Sequence, residues 1–147
     1  EIIELYTTHF GLQASTARFY NVYGPHQLTE GGYTTLIGKW LNNIKIQEPF
    51  DIFGDGEKRR DFTHVDDIVD GLIRIMKQQA YGHIFEFGRG MNHSINEVAK
   101  MFDIVPWYAP DRPGEAQDTL ADSSLAEDIL GWEAKINLKD YIRGEIR

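Results

Sequence analysis

Arginine has the most chemistry to offer in this chain, because the polypeptide around it is acidic. The formal net charge is −8, so the overall field repels anions and argues against a nucleic-acid partner. An anionic ligand must therefore be met by a local cluster of guanidinium groups, which stay charged and offer paired, fixed donors to oxygen. Candidates are Arg60, ahead of Asp61-Phe62, and Arg112, at the head of Arg112-Pro113-Gly114-Glu115. On composition alone both are surface charges, the usual fate of arginine. Arg59 reads as the solvated neighbour of Arg60.

Other reactive residue types lead less far. His64 with Asp66 and Asp67 has the donors of a metal site, but the histidine reads as packed and the aspartates as helix-capping groups that answer the dipole. His9, His26, His83 and His93 are too scattered for ligand spacing, and no metal is expected. The absence of cysteine excludes disulfides and thiolate ligands and is compatible with a reducing, cytoplasmic setting. Gly54-Asp55-Gly56 and Gly88-Arg89-Gly90 each lack the third glycine of G-x-G-x-x-G, and neither has a full βαβ unit around it. Trp40, Trp107 and Trp132 read as core or interface anchors.

The elements that must position these residues follow from hydrophobic spacing. At 147 residues, 41% apolar and 26% charged, the chain suits one globular domain with a real core. No apolar run approaches the ~20 residues of a membrane span, and no membrane partner is expected. A helix is predicted over residues 1–10, with Ile2, Ile3, Leu5, Tyr6 and Phe10 near one face and Gly11 as its stop. Residues 14–22 read as one buried strand ending at Gly24-Pro25, and residues 26–32 as a loop. Leu36, Ile37, Trp40, Leu41 and Ile44 give an amphipathic helix over 33–45, closed by Pro49. A short strand is predicted at 50–53 and an extended piece at 62–65. Asp66 should cap a helix with the stripe Ile68, Val69, Leu72, Ile73, Ile75 and Met76. A strand at 83–87 and another at 105–109 follow. Ser94-Ile95-Asn96-Glu97 and Ser124-Leu125-Ala126-Glu127 both read as capping boxes, Gly131 as the stop of the second helix, and Asn137 as the start of a terminal helix. Alternating helices and short strands make the class α/β.

Several segments carry a further signal. Arg18-Phe19-Tyr20-Asn21-Val22-Tyr23-Gly24-Pro25 is followed by Gly54-Asp55-Gly56 through Arg60-Asp61-Phe62-Thr63-His64-Val65-Asp66-Asp67. With Arg112-Pro113-Gly114-Glu115 and Leu130-Gly131-Trp132, they resemble the C-terminal half of the NAD-dependent epimerase/dehydratase family, extended short-chain dehydrogenases acting on nucleotide-linked sugars. The similarity covers nearly the whole chain and is closest to UDP-sugar 4-epimerases. The family's glycine-rich loop and Tyr-x-x-x-Lys catalytic pair are missing: no tyrosine here has lysine four residues later. The expectation is a fragment of a larger enzyme, 1–147 being its C-terminal substrate-binding part, with no catalytic residue and no activity of its own.

The resemblance implies that 14–25 and 83–90 complete a Rossmann sheet, while 26–66 and 105–147 form mainly the small mixed α/β substrate domain. It implies that Arg60 and Arg112 bind a diphosphate and that Asn21 approaches the diphosphate and sugar. Asp51 and Phe53 lie in a strand that grips uracil in related epimerases, although Phe53 buried in a core strand is an equal reading from the residues. Glu115 matches a position that caps ribose hydroxyls, or is a solvated carboxylate. Thr35 matches a substrate contact in some UDP-N-acetylhexosamine epimerases, and the backbone of Tyr20 borders the nicotinamide. The cofactor implied is NAD, bound mainly by the missing half.

As the resemblance has it, NAD takes a hydride from C4, the 4-keto sugar turns over, and hydride returns to the other face. The substrate expected is a UDP-hexose, either UDP-glucose or UDP-N-acetylglucosamine. Alternatives are a nucleotide-sugar 4,6-dehydratase or decarboxylase of the same superfamily, or a non-catalytic nucleotide-binding or interaction module. Strands lacking their sheet partners expose edges, so a homodimer is also expected.

Overall fold

The computed structural model describes residues 2–146. Glu1, predicted to open the first helix, lies outside the described residues. Helix α1 (Ile2–Phe10) runs to Gly11, whose φ of +67 is the left-handed turn that glycine adopts without a Cβ clash. None of its residues is buried, and Ile2, Leu5 and Phe10 are exposed. Its apolar face therefore has no cover among the described residues.

The strand predicted over 14–22 is two strands. β1 (Thr16–Phe19) pairs in parallel with β6 (Ile84–Phe87), whereas β2 (Val22–Tyr23) pairs in parallel with β5 (Thr63–His64). The break falls at Asn21, with φ of 29, a positive value that asparagine tolerates better than most residues. The chain thus leaves one sheet and enters another at a predicted ligand residue. α2 (Leu36–Ile46) starts at its cap Thr35 and ends at left-handed Gln47, ahead of Pro49.

β3 (Asp51–Phe53) pairs in parallel with β8 (Trp107–Ala109). β4 (Arg59–Asp61), absent from the sequence reading, pairs antiparallel with β7 (Asn92–Ser94). The remaining helices are α3 (Val65–Gln78), α4 (Ile95–Phe102), α5 (Ser124–Leu130) and α6 (Leu138–Glu145).

Helix starts follow the local sequence at some caps and depart from it at others. Ser94 forms the predicted capping box, accepting from the Glu97 amide while Glu97 accepts from the Ser94 amide. Asn137 caps α6, and Gly131 closes α5 in the left-handed region. The cap of α3 is His64 rather than Asp66: imidazole Nδ1 accepts from the Asp66 amide at 3.1 Å, and the aspartates occupy the first turn. The second capping box does not form, because Ser123 holds the cap position without a side-chain bond.

Two apolar cores result. One packs Trp40 and Ile37 of α2 with Tyr23, Ile52, Phe62, Val98, Phe102, Leu138 and Ile142. The other gathers Phe85 and Phe87 of β6 with Ile68, Leu130 and Trp132. Burying each such side chain is worth roughly 1.5–3 kcal/mol. The stripe predicted for α3 contributes only Ile68 to full burial; Val69, Leu72, Ile73 and Met76 stay exposed. Trp107 is exposed too, so the anchors are Trp40 and Trp132. Among the described residues no helix is long and apolar enough to cross a membrane.

Candidate functional site

A cleft of about 870 Å³ opens above the first core, and seven of the eight predicted ligand-contacting residues line it: Asn21, Thr35, Asp51, Phe53, Arg60, Arg112 and Glu115. The eighth, Tyr20, does not. Its hydroxyl donates to Glu86 Oε2 at 2.6 Å, and its amide donates to the Phe87 carbonyl at 3.3 Å, extending the β1–β6 ladder.

Arg60 owes its aim to strand alternation, which sends its neighbours to the opposite face. Asp61 is fully buried and accepts from the amides of Arg89 at 2.8 Å, Gly90 at 3.0 Å and Ala121 at 3.2 Å. Arg59, read as solvated, is bonded through Nε and Nη2 to Asn92 and through Nη2 to Glu97 at 3.1 Å. With β4 clamped on that side, Arg60 is left to face the cleft. Its side chain keeps only 15% exposure, and Nη1 donates to the Arg59 carbonyl.

Arg112 arrives from the loop after β8. Its guanidinium carbon lies 3.5 Å from the Phe53 ring centroid, a close cation–π stack. The aromatic face proposed for a base is therefore covered by guanidinium in this structure. Glu115 lies between the arginines, Oε1 being 3.8 Å from Arg112 Nη1 and Oε2 4.0 Å from Arg60 Nη2.

A third cation, Lys58, was not found from sequence. It is buried, and its ammonium bonds to Asp111 and, at 3.2 Å, to Glu115 Oε2. Bonding to Asp111 first, and to Glu115, raises the lysine pKa against the opposing effect of desolvation. The same lysine, helped by the Arg112 amide, lowers that of Asp111. Lys58 thus ties the loop carrying Arg112 to the turn before β4. Gly54, at φ +80, permits the close approach: a Cβ there would stand 3.1 Å from Asp111 Oδ1. No local pattern marks a lysine for this role, since the partners come from a distant loop.

The other residues have defined partners. Thr35 Oγ1 accepts from the Gly38 amide at 3.0 Å and donates to Gln27 at 2.8 Å, so its hydroxyl is engaged in capping α2. Asp51 accepts from Lys39 at 3.1 Å. Asn21 Oδ1 accepts from the Thr119 hydroxyl at 3.3 Å. Among the described residues β3 pairs with β8 alone. No cluster of potential metal ligands occurs among the described residues.

Chemically, the cleft offers strong cationic donors beside the Phe53 ring and strand β3. Such a site suits an anion attached to a planar group. Among the described residues the cleft carries no glycine-rich dinucleotide loop.

Comparison with known proteins identifies a family and a shared fold. The model of the NAD dependent epimerase/dehydratase family matches residues 1–88. The chain is 33% identical to the UDP-glucuronate 4-epimerase of Thermodesulfobacterium geofontis (strain OPF15), over 94% of this chain and 44% of that protein. It superposes on the UDP-glucose 4-epimerase of Thermotoga maritima, crystallised with UDP-glucose, at a TM-score of 0.91 and 29% identity, covering 99% of this chain and 48% of the other. A UDP-glucuronic acid 4-epimerase from Bacillus cereus, in complex with UDP-glucuronic acid and NAD, gives 0.82 at 25% identity, covering 99% and 48%. The chain spans about half the length of the curated relatives it matches.

Proposed function

Since the chain belongs to the NAD dependent epimerase/dehydratase family, we propose that it is the nucleotide-sugar-binding part of a UDP-hexose 4-epimerase, with UDP-glucose or UDP-N-acetylglucosamine as substrate. Arg60 and Arg112 clamp the diphosphate. Asn21 borders the diphosphate and sugar, Phe53 and the backbone near Asp51 receive the uracil, and Glu115 receives the ribose hydroxyls. The observation that carries this reading is the convergence of Arg60, from strand β4, and Arg112, from the loop after β8, on one cleft with Asn21 and Phe53. Holding the nucleotide there leaves the hexose free to turn, so binding energy far from the reacting carbon supplies positioning.

The same proposal assigns β1 and β6 to a sheet that the rest of the protein completes, and NAD mainly to that remainder. The substrate-domain role falls on 26–66 and 105–147. The relatives' complexes with UDP-glucose and with UDP-glucuronic acid support a UDP-sugar as the ligand.

Calorimetry with UDP tests the clamp. Each charge-assisted hydrogen bond is worth about 1.5–3 kcal/mol, so Arg60→Ala or Arg112→Ala should weaken UDP by roughly ten- to a hundredfold. No binding of UDP to the unaltered chain at millimolar concentration would reject the reading and leave a non-catalytic interaction module.

A further inference from the structure

We infer that Glu115 is a built-in occupant of the anion site, an internal carboxylate that holds the cations together until a diphosphate displaces it. The inference rests on reading the cleft as an anion site, and it adds a residue that sets how readily an anion can enter.

The geometry carries it. The Glu115 carboxylate stands 3.2 Å from Lys58 Nζ, 3.8 Å from Arg112 Nη1 and 4.0 Å from Arg60 Nη2. Three cations from two separate segments thus converge on a single carboxylate, as they would on a phosphate. Like charges brought together in a half-buried cleft repel one another, and one negative group among them relieves that repulsion. Asp111 supplies a second anion, but through Lys58 and the Arg112 amide, not through either guanidinium.

Arg112 is parked by the same arrangement. Glu115 meets it on one side and the Phe53 ring on another, at 3.5 Å from the centroid. A nucleotide must therefore do two things on arrival: exchange its phosphate oxygens for the Glu115 carboxylate, and draw Arg112 off the aromatic face so that the base can use it. Once displaced, the carboxylate is free to accept from hydroxyls beside the phosphate. A ligand carrying one weakly charged group gains too little to drive both changes, whereas a diphosphate gains enough.

The test is calorimetric titration with inorganic pyrophosphate, which has no base or ribose to confuse the outcome. Glu115→Gln and Glu115→Ala should each bind it more tightly than the unaltered chain, by about three- to tenfold, the scale of a partly exposed ion pair. Unchanged or weaker binding in either variant overturns the inference. Arg60→Ala separates this from failure of the functional reading. If pyrophosphate binding to the unaltered chain does not depend on Arg60, the cleft is not the anion site. If it does depend on Arg60 and Glu115→Gln is no tighter, only the role of Glu115 falls.

Discussion

The two guanidiniums sit in different surroundings, and Phe53 is where they diverge. Arg60 is held from behind by buried Asp61 and bonded Arg59. Arg112 has a side chain 56% exposed and rests on Phe53. Base–aromatic stacking is worth roughly 1–3 kcal/mol, so Phe53→Leu should weaken UDP about five- to a hundredfold while leaving pyrophosphate unharmed. Equal losses for both ligands, measured by calorimetry, would mean that Phe53 serves only to seat Arg112. A second residue-scale expectation concerns Glu86. Its carboxyl is held below the ordinary glutamate range chiefly by the Tyr20 hydroxyl, then by the Asp122 amide and Arg18. A carboxylate whose folded pKa is lowered stabilises the fold above its unfolded pKa, and that stability is lost as pH falls through the folded pKa. Glu86→Gln should therefore cost about 1 kcal/mol near neutrality and little in acid, read by denaturant unfolding across pH. The arginines were legible because their flanking residues form recognisable strings. Lys58 was not, because its burial depends on Asp111 and Glu115, which nothing beside residue 58 announces.

Elements were most legible where the structure is local. Ser94 and Glu97 share one turn, and their reciprocal bonds appear as read. Ser124 and Glu127 have the same spacing, yet the helix begins with Ser124 already inside it. The difference is in the preceding chain: Asp122 accepts from the Ser124 amide and shifts the start. Ser94→Ala should accordingly cost about 1 kcal/mol, whereas Ser124→Ala should fall within a few tenths, both by chemical denaturation. Equal costs would contradict the caps seen here. β4 could not be read locally. Arg59-Arg60-Asp61 has no strand-like residue, and it becomes a strand only through the antiparallel β7 and the three amides on Asp61. The strand at 14–22 divided for a similar reason, since Asn21 sends β1 and β2 to different partners.

On the scale of the whole molecule, a negative chain binds an anion only by concentrating its cations. Lys58, Arg60 and Arg112 do so within one cleft, against a formal net charge of −8. The exposed apolar residues of α1 and the two-stranded β1–β6 sheet are surfaces that another copy could cover. The expected homodimer is checked by light scattering, and a monodisperse monomer at high concentration counts against it. With no Tyr-x-x-x-Lys in its sequence, this chain given NAD and UDP-glucose should show no epimerase turnover; measurable turnover would mean that the chemistry resides here after all. The most direct measurement is a crystal structure of the chain soaked with UDP. The expected result is a diphosphate between the Arg60 and Arg112 guanidiniums, within hydrogen-bond reach of both, with the uracil on Phe53. A UDP bound elsewhere, or in this cleft with neither guanidinium touching a phosphate, would contradict the account.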